Sequence, residues 1–177
     1  MASMVDRMIG AAKLDANTFE EIERDTTAMG QALVVVLISA VAAGIGGMGS
    51  AGTMGLFGGL VAALIGWAIW AGIVLVVGTK LLPEPQTKAD FPEVLRTIGF
   101  AASPGVLNIF GIIPLLGILA RLVASLWQLV AMVVAVRQVL DYRTTGKAVL
   151  VCVVGWLAYM IALFFLGSIF GITASLT

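Results

Sequence analysis

The chain has 177 residues, is 60% hydrophobic and only 11% charged, and balances ten basic against ten acidic residues. A soluble domain carries about 25% charged residues, so this composition, with a mean hydropathy of +1.09, excludes a soluble fold and predicts one polytopic bundle of membrane helices. Zero net charge without a basic face excludes nucleic-acid binding, the absence of histidine removes the commonest metal ligand and the usual general base, and the lone Cys152, among valines, allows no internal disulfide.

Residues 1–27 mix six acidic groups with short apolar patches, which predicts an uncleaved cytoplasmic segment and not a signal peptide. Within it Met1, Met4, Val5, Met8, Ile9 and Ala12 recur at helical spacing, predicting a short amphipathic helix. It suits either the inner headgroup layer or a seat on the bundle or a partner. Thr18 and Glu21 read as a capping box, which starts a second helix at Phe19. Its Phe19 and Ile22 share one face, Glu20, Glu21 and Glu23 another, and Glu20 can pair with Arg24 at i+4. Met4, Val5, Met8, Ile9, Phe19 and Ile22 are the candidate interaction surface.

Residues 28–177 form the membrane domain, with spans expected at about 28–48, 56–78, 96–113, 118–140 and 148–172. A glycine-rich connection is expected at 48–55. Small residues recur every fourth position through Ser39, Ala43 and Gly47, then Gly55, Gly59 and Ala63, with Gly167 and Gly171 in the fifth span. Such stripes let helices approach closely, so Gly47, Gly55, Gly59, Gly167 and Gly171 are expected at helix contacts. Pro83 and Pro85 end the second span. Asp90, Pro92 and Glu93 then start a new helix.

The third span is short and contains Gly99, Ser103, Pro104, Gly105 and Asn108. Pro104 removes a backbone hydrogen bond, so a kink is expected. Broken backbone at membrane depth is tolerated only inside protein or beside water, which makes Ser103, Pro104 and Asn108 a candidate polar pocket, with Arg121 of the fourth span as its charge. Arg121 can instead snorkel to the headgroups. Trp67, Trp70 and Trp127 lie well inside their spans, as packing bulk against protein or lipid. The loop at 141–147 ends in Thr-Gly-Lys but lacks the phosphate-loop glycine spacing and its following hydroxyl.

Nine of the ten basic residues fall in three places: Arg7, Lys13 and Arg24 before the first span, Lys80, Lys88 and Arg96 between the second and third, and Arg137, Arg143 and Lys147 between the fourth and fifth. Positive loops stay on the cytoplasmic side. The expected fold is therefore an all-α bundle of five transmembrane helices, N-terminus cytoplasmic and C-terminus outside.

Five spans after an amphipathic N-terminal segment resemble the Yip family, the Ypt/Rab-interacting integral membrane proteins and their prokaryotic relatives. "DFPEVLRTIGFAASPGVLNIFGIIPLLG" is similar to the family's third span, with Gly99, Phe100 and Pro104 carrying its motif. "VASLWQLVAMVVAVRQVLDYRTTGKAVLV" and the N-terminal "LDANTFEEIERDTTAMGQALVVVLISAVAAGIGG" also resemble family members, the latter prokaryotic ones. The resemblance implies trafficking and vesicle-membrane scaffolding in eukaryotes. The eukaryotic Asp–Leu–Tyr–Gly–Pro motif is replaced here by Phe19 to Asp25, so a Rab-type GTPase partner does not carry over. The alanine, glycine and valine bias suits a bacterial cytoplasmic membrane.

The leading expectation is thus a non-enzymatic membrane protein, without cofactor or metal, that organises membrane or holds protein partners or copies of itself. An accessory subunit of a larger complex and a small transporter or channel are the alternatives. An enzyme is disfavoured because Ser39, Ser103 and Ser125 have no mid-span base to activate them.

Overall fold

The computed structural model describes residues 2–113 and 115–169, without the side chains of 48–56, 163 and 166–169. Among the described residues all regular secondary structure is helical. The helices are α1 (Met4–Ala12), α2 (Ala16–Arg24), α3 (Ala28–Gly46), α4 (Met48–Val76), α5 (Phe91–Phe100), α6 (Leu116–Val139) and α7 (Thr145–Ile169). A π-helical turn, Val77–Leu81, extends α4, and a 3-10 helix, Ser103–Ile112, follows α5. Among the described residues four helices are long and apolar enough to cross a membrane, and α5 with the 3-10 helix passes the same test as a pair bent by 42°, the geometry of a broken span or a re-entrant loop.

Local chemistry sets the helix starts. Ser3 and Asp6 cap α1 reciprocally, and Asp90 and Glu93 do the same for α5. α2 starts at Ala16, three residues earlier than its sequence suggests. Asp15 accepts from the Asn17 amide and from the Thr18 hydroxyl, so Thr18 serves the cap and is not itself the cap. The glycine-rich 48–55 segment, expected as a connection, belongs to α4, which follows α3 directly after Gly47. Away from water a peptide group is best satisfied within a helix.

Packing differs between the two ends of the bundle. At one end, Phe19 and Ile22 of α2, Ala28, Ala32 and Val35 of α3, Val74 and Val77, Val94 and Ile98 of α5, Val136, Val139 and Leu140 of α6, and Ala148 and Val151 of α7 form one core. We call this the polar end, since the loops and charges gather there. α1 and α2 share this core with the spans. Towards the far end the contacts are between small residues. A Cβ at Gly46 would lie 2.0 Å from the Asn108 carbonyl oxygen, at Gly111 2.7 Å from the Gly46 carbonyl oxygen, and at Gly117 2.6 Å from the Gly111 carbonyl oxygen. Three chain segments thus meet backbone to backbone.

Of the five glycines expected at helix contacts, Gly47 and Gly59 can be placed, and among the described residues a Cβ on neither would meet another helix. Gly59 has no neighbour within 4 Å among the described residues, and a Cβ on Gly47 would meet only its own helix. Gly55 and Gly167 lie among residues whose side-chain surroundings are not described, and Gly171 lies outside the described residues. The stripe was counted at α-helical spacing, but the close partner is a 3-10 helix with a different period.

Gly46→Ala should lower stability by about 2–3 kcal/mol, because backbone and not a flexible side chain occupies the space. Gly58→Ala, which meets nothing within 4 Å, should stay within about 0.5 kcal/mol. Thermal unfolding of both variants in one detergent checks the contrast.

Candidate interaction face at the polar end

Two buried arginines build this end. Arg7 of α1 is 1% exposed. Its Nη1 donates to Gln31 Oε1 at 2.8 Å, and its Nη2 to Glu21 Oε1 at 3.0 Å and Asp25 Oδ2 at 2.5 Å. One side chain therefore ties α1 to α2 and α3. Burial works against the Arg7 charge, but its hydrogen bonds to Asp25 and Glu21 outweigh it and its pKa rises. Asp25 is held down to about 2, first by the Thr27 hydroxyl and then by Arg7.

Arg96 of α5, 4% exposed, reaches the other end of α2. Its Nε donates to the carbonyls of Ile22 at 3.1 Å and Glu23 at 2.8 Å, and its Nη2 also donates to the Glu23 carbonyl. The last carbonyls of a helix have no partner within it and carry partial negative charge. Arg96 supplies both a donor and a cation there. Gln138 Nε2 adds a bond to Glu20 Oε1 at 3.1 Å.

The loops after α4 and after α6 lock together beside this unit. Lys147 Nζ donates to the Pro83 carbonyl at 3.0 Å and pairs with Glu84 at 3.6 Å. Gln86 and Thr87 donate to the carbonyls of Asp141 and Leu140. The Tyr142 hydroxyl lies 3.1 Å from the Gly78 carbonyl and 2.8 Å from that of Leu82, and it can donate to one at a time. Gly78 lies within the π-helical turn and Leu82 caps it. Burial, and then Glu84, push the Tyr142 phenol up to about 12.

Above these groups lies an open groove of about 550 Å³ lined by Arg7, Asn17, Glu20, Glu21, Arg24 and Asp25. Phe19 and Ile22, expected on an interaction surface, are 0% exposed. They anchor α2 on the bundle, because this face meets α5 and α6 and not solvent. The polar face of α2 is what remains outside. Glu20 and Arg24 pair there at 3.1 Å as expected, both well exposed. Met4 and Met8 pack against the core, while Val5 and Ile9 are 56% and 48% exposed.

The residues expected to form a polar pocket each bond to nearby backbone. The Ser103 hydroxyl donates to the Phe100 carbonyl at 2.6 Å, Asn108 Nδ2 to that of Gly105 at 2.9 Å, and Arg121 Nε to that of Gly117 at 3.3 Å. Gly99 sits where a Cβ would touch Ala32 and Trp67, and Phe100 is fully buried. The important partners at the break are instead Ser39 Oγ and Gln128 Nε2, which both donate to the Ala102 carbonyl, at 2.7 and 3.3 Å. Gln128 was legible only as a lone amide within an apolar span.

A family model, the Yip1 domain, matches residues 15–167. The chain belongs to this family. No curated protein and no solved structure matches it. The Yip1 domain here begins within the α1–α2 connection, so α2, with its buried Phe19 and Ile22, lies inside the matched region and α1 outside it.

Glu23 is the one carboxylate at this end whose pKa moves strongly upward, to about 7. Burial is the main cause, followed by Asp141 and Glu93, with Arg24 opposing and Glu20 adding to the shift. A carboxyl raised above its unfolded value favours the folded state most when protonated in both states. Its contribution is full below about pH 4.5 and is lost as pH rises to about 7. Glu23→Gln should therefore flatten this pH dependence and raise stability at pH 8 by about 1–3 kcal/mol. Melting temperatures of both proteins in detergent at pH 5 and pH 8 test this.

Arg7→Met should cost about 3 kcal/mol, since it strips the partner from carboxylates packed around a buried cation. Arg7→Lys should not restore it, because one ammonium cannot span three partners in this fork. Arg24→Ala should change little. Hydrogen exchange of the α2 amides reports each case, with protection lost in the first two variants and kept in the third.

Proposed function

We propose that this Yip1-domain protein is a non-enzymatic integral membrane protein that holds protein partners on the polar face of α2, with the polar end towards the cytoplasm. The observation that carries this reading is the seating of α2. Its apolar residues Phe19 and Ile22 are spent on the bundle, its last carbonyls are capped by Arg96, and its charged residues Glu20 and Arg24 face outward beside the groove. A fixed helix that displays polar side chains is suited to recognition, because little freedom is lost when a partner binds.

The orientation follows from the charge pattern, since the three basic clusters flank this end. The composition favours the cytoplasmic membrane of a bacterium. A transport path through the third span is less well supported. There the Phe100 and Ala102 carbonyls take donors from Ser103, Ser39 and Gln128, and groups so engaged are not available to a passing solute.

Arg24→Glu, at the most exposed charge of α2, keeps the fold and changes the displayed pattern. Native mass measurement after extraction in mild detergent should show stoichiometric partner subunits on the parent protein, reduced at least tenfold on the variant. An identical set on both proteins, or only copies of this chain on both, overturns the proposal.

A further inference from the structure

Helix α1 is turned inside out for a helix in water. Its one basic residue, Arg7, is buried at 1% exposure, while its branched apolar residues Val5 and Ile9 stand out at 56% and 48%. A helix facing water has the opposite arrangement. At 100° per residue Val5, Ile9 and Ala12 share one arc, and Asp6 and Lys13, both exposed, sit beside it. This sequence of arcs, apolar then charged, is that of a helix lying in the plane of a membrane surface.

The bundle shows what lies beside it. On α6, Leu122, Leu126, Leu129 and Val130 are all exposed, as lipid-facing side chains are. Trp127 belongs to this strip, and its indole N–H donates to the carbonyl of Ala12, the last residue of α1, at 2.7 Å. The bond sets the end of α1 against the lipid-facing strip of α6.

We infer that α1 is an interfacial helix of this protein, with Val5 and Ile9 in the hydrocarbon edge of one leaflet and Lys13 among the headgroups. Its partner is the lipid surface, not a protein. The attraction is apolar. Residues 1–27 carry six acidic against three basic side chains, which gives no pull towards anionic lipid. Insertion is therefore independent of salt and of headgroup charge.

The test uses the full chain in phosphatidylcholine bilayers, with Cys152→Ala as background. Nitroxides are placed one at a time at Val5→Cys, Ile9→Cys and Lys13→Cys, with Leu126→Cys as the lipid reference. Oxygen concentrates in hydrocarbon and a nickel chelate in water. At 5 and 9 oxygen collisions should exceed nickel collisions several-fold, as at 126, with the order reversed at 13 and the pattern unchanged in 1 M salt. Nickel dominating at 5 and 9 would place α1 in water and overturn the inference. Low collisions with both reagents would mean a protein covers it, and would overturn it equally. Dependence on anionic lipid would replace the apolar seat with electrostatic adsorption. These four positions are exposed in the structure, so the labels do not put the fold at risk.

Discussion

A carbonyl without a donor inside a membrane costs several kcal/mol, and Pro104 creates one. It has no N–H to give to Phe100, and the Ser103 hydroxyl takes that place. The Ala102 carbonyl draws on the Gly105 amide, Ser39 and Gln128. The last two donors come from α3 and α6, so both helices must press against the break. That nearness in turn demands glycine. A Cβ on Gly105 would sit 2.5 Å from Gln128 Nε2, and the backbone contacts among Gly46, Gly111 and Gly117 continue the same close approach outward. The break beside Pro104 is thus where α3 and α6 approach the third span most closely.

The lopsided core has a related cause. Between lipid-embedded helices there is no hydrophobic force, since lipid tails are as apolar as leucine. Small-residue contacts and hydrogen bonds are what remain, and these hold the far end. At the polar end the alternative to burial is water. There each of Phe19, Ile22, Val136 and Leu140 gains about 1.5–3 kcal/mol by being covered. The large buried side chains gather where covering them has value. This also explains why α1 and α2 complete the core and do not trail from it.

What could be read from the chain follows the range of the interaction. The Asp90–Glu93 cap and the bend at Pro104 depend on neighbours in sequence, and both are where the residues indicate. Glu20 and Arg24 pair for the same reason. Phe19 and Ile22 were visible as an apolar face, but the sequence did not say what covers it, and an interaction surface and an internal anchor look alike at that stage. The arginines were harder. Arg96 meets carbonyls more than seventy residues away, and such acceptors have no side-chain signature. Arg7 was counted as a topological charge, although its place is a buried junction of three helices. Gly46, Gly111 and Gly117 escaped a four-residue count because their meeting point is a 3-10 helix, whose period such a count does not see.

The two ends of the bundle are joined through α5. Arg96 holds the end of α2, and Pro104 breaks the span eight positions further on, about 12 Å away at helical rise. Between them Gly99 fits against Ala32 and Trp67, and the Trp67 indole donates to the Leu95 carbonyl at 3.0 Å. Such a segment has little room to shift alone. Moving α2 would pull Arg96 from the Ile22 and Glu23 carbonyls or move α5 with it, and moving α5 would disturb the donors that satisfy Ala102. Uncapping α2 exposes helix-end carbonyls, while breaking the Ala102 contacts leaves the Ser39 hydroxyl and the Gln128 amide without their acceptor inside the bundle. The second is the costlier, so α2 would give way first. The polar face therefore rests on the more yielding of the two attachments, and the broken span is the fixed point against which it is held.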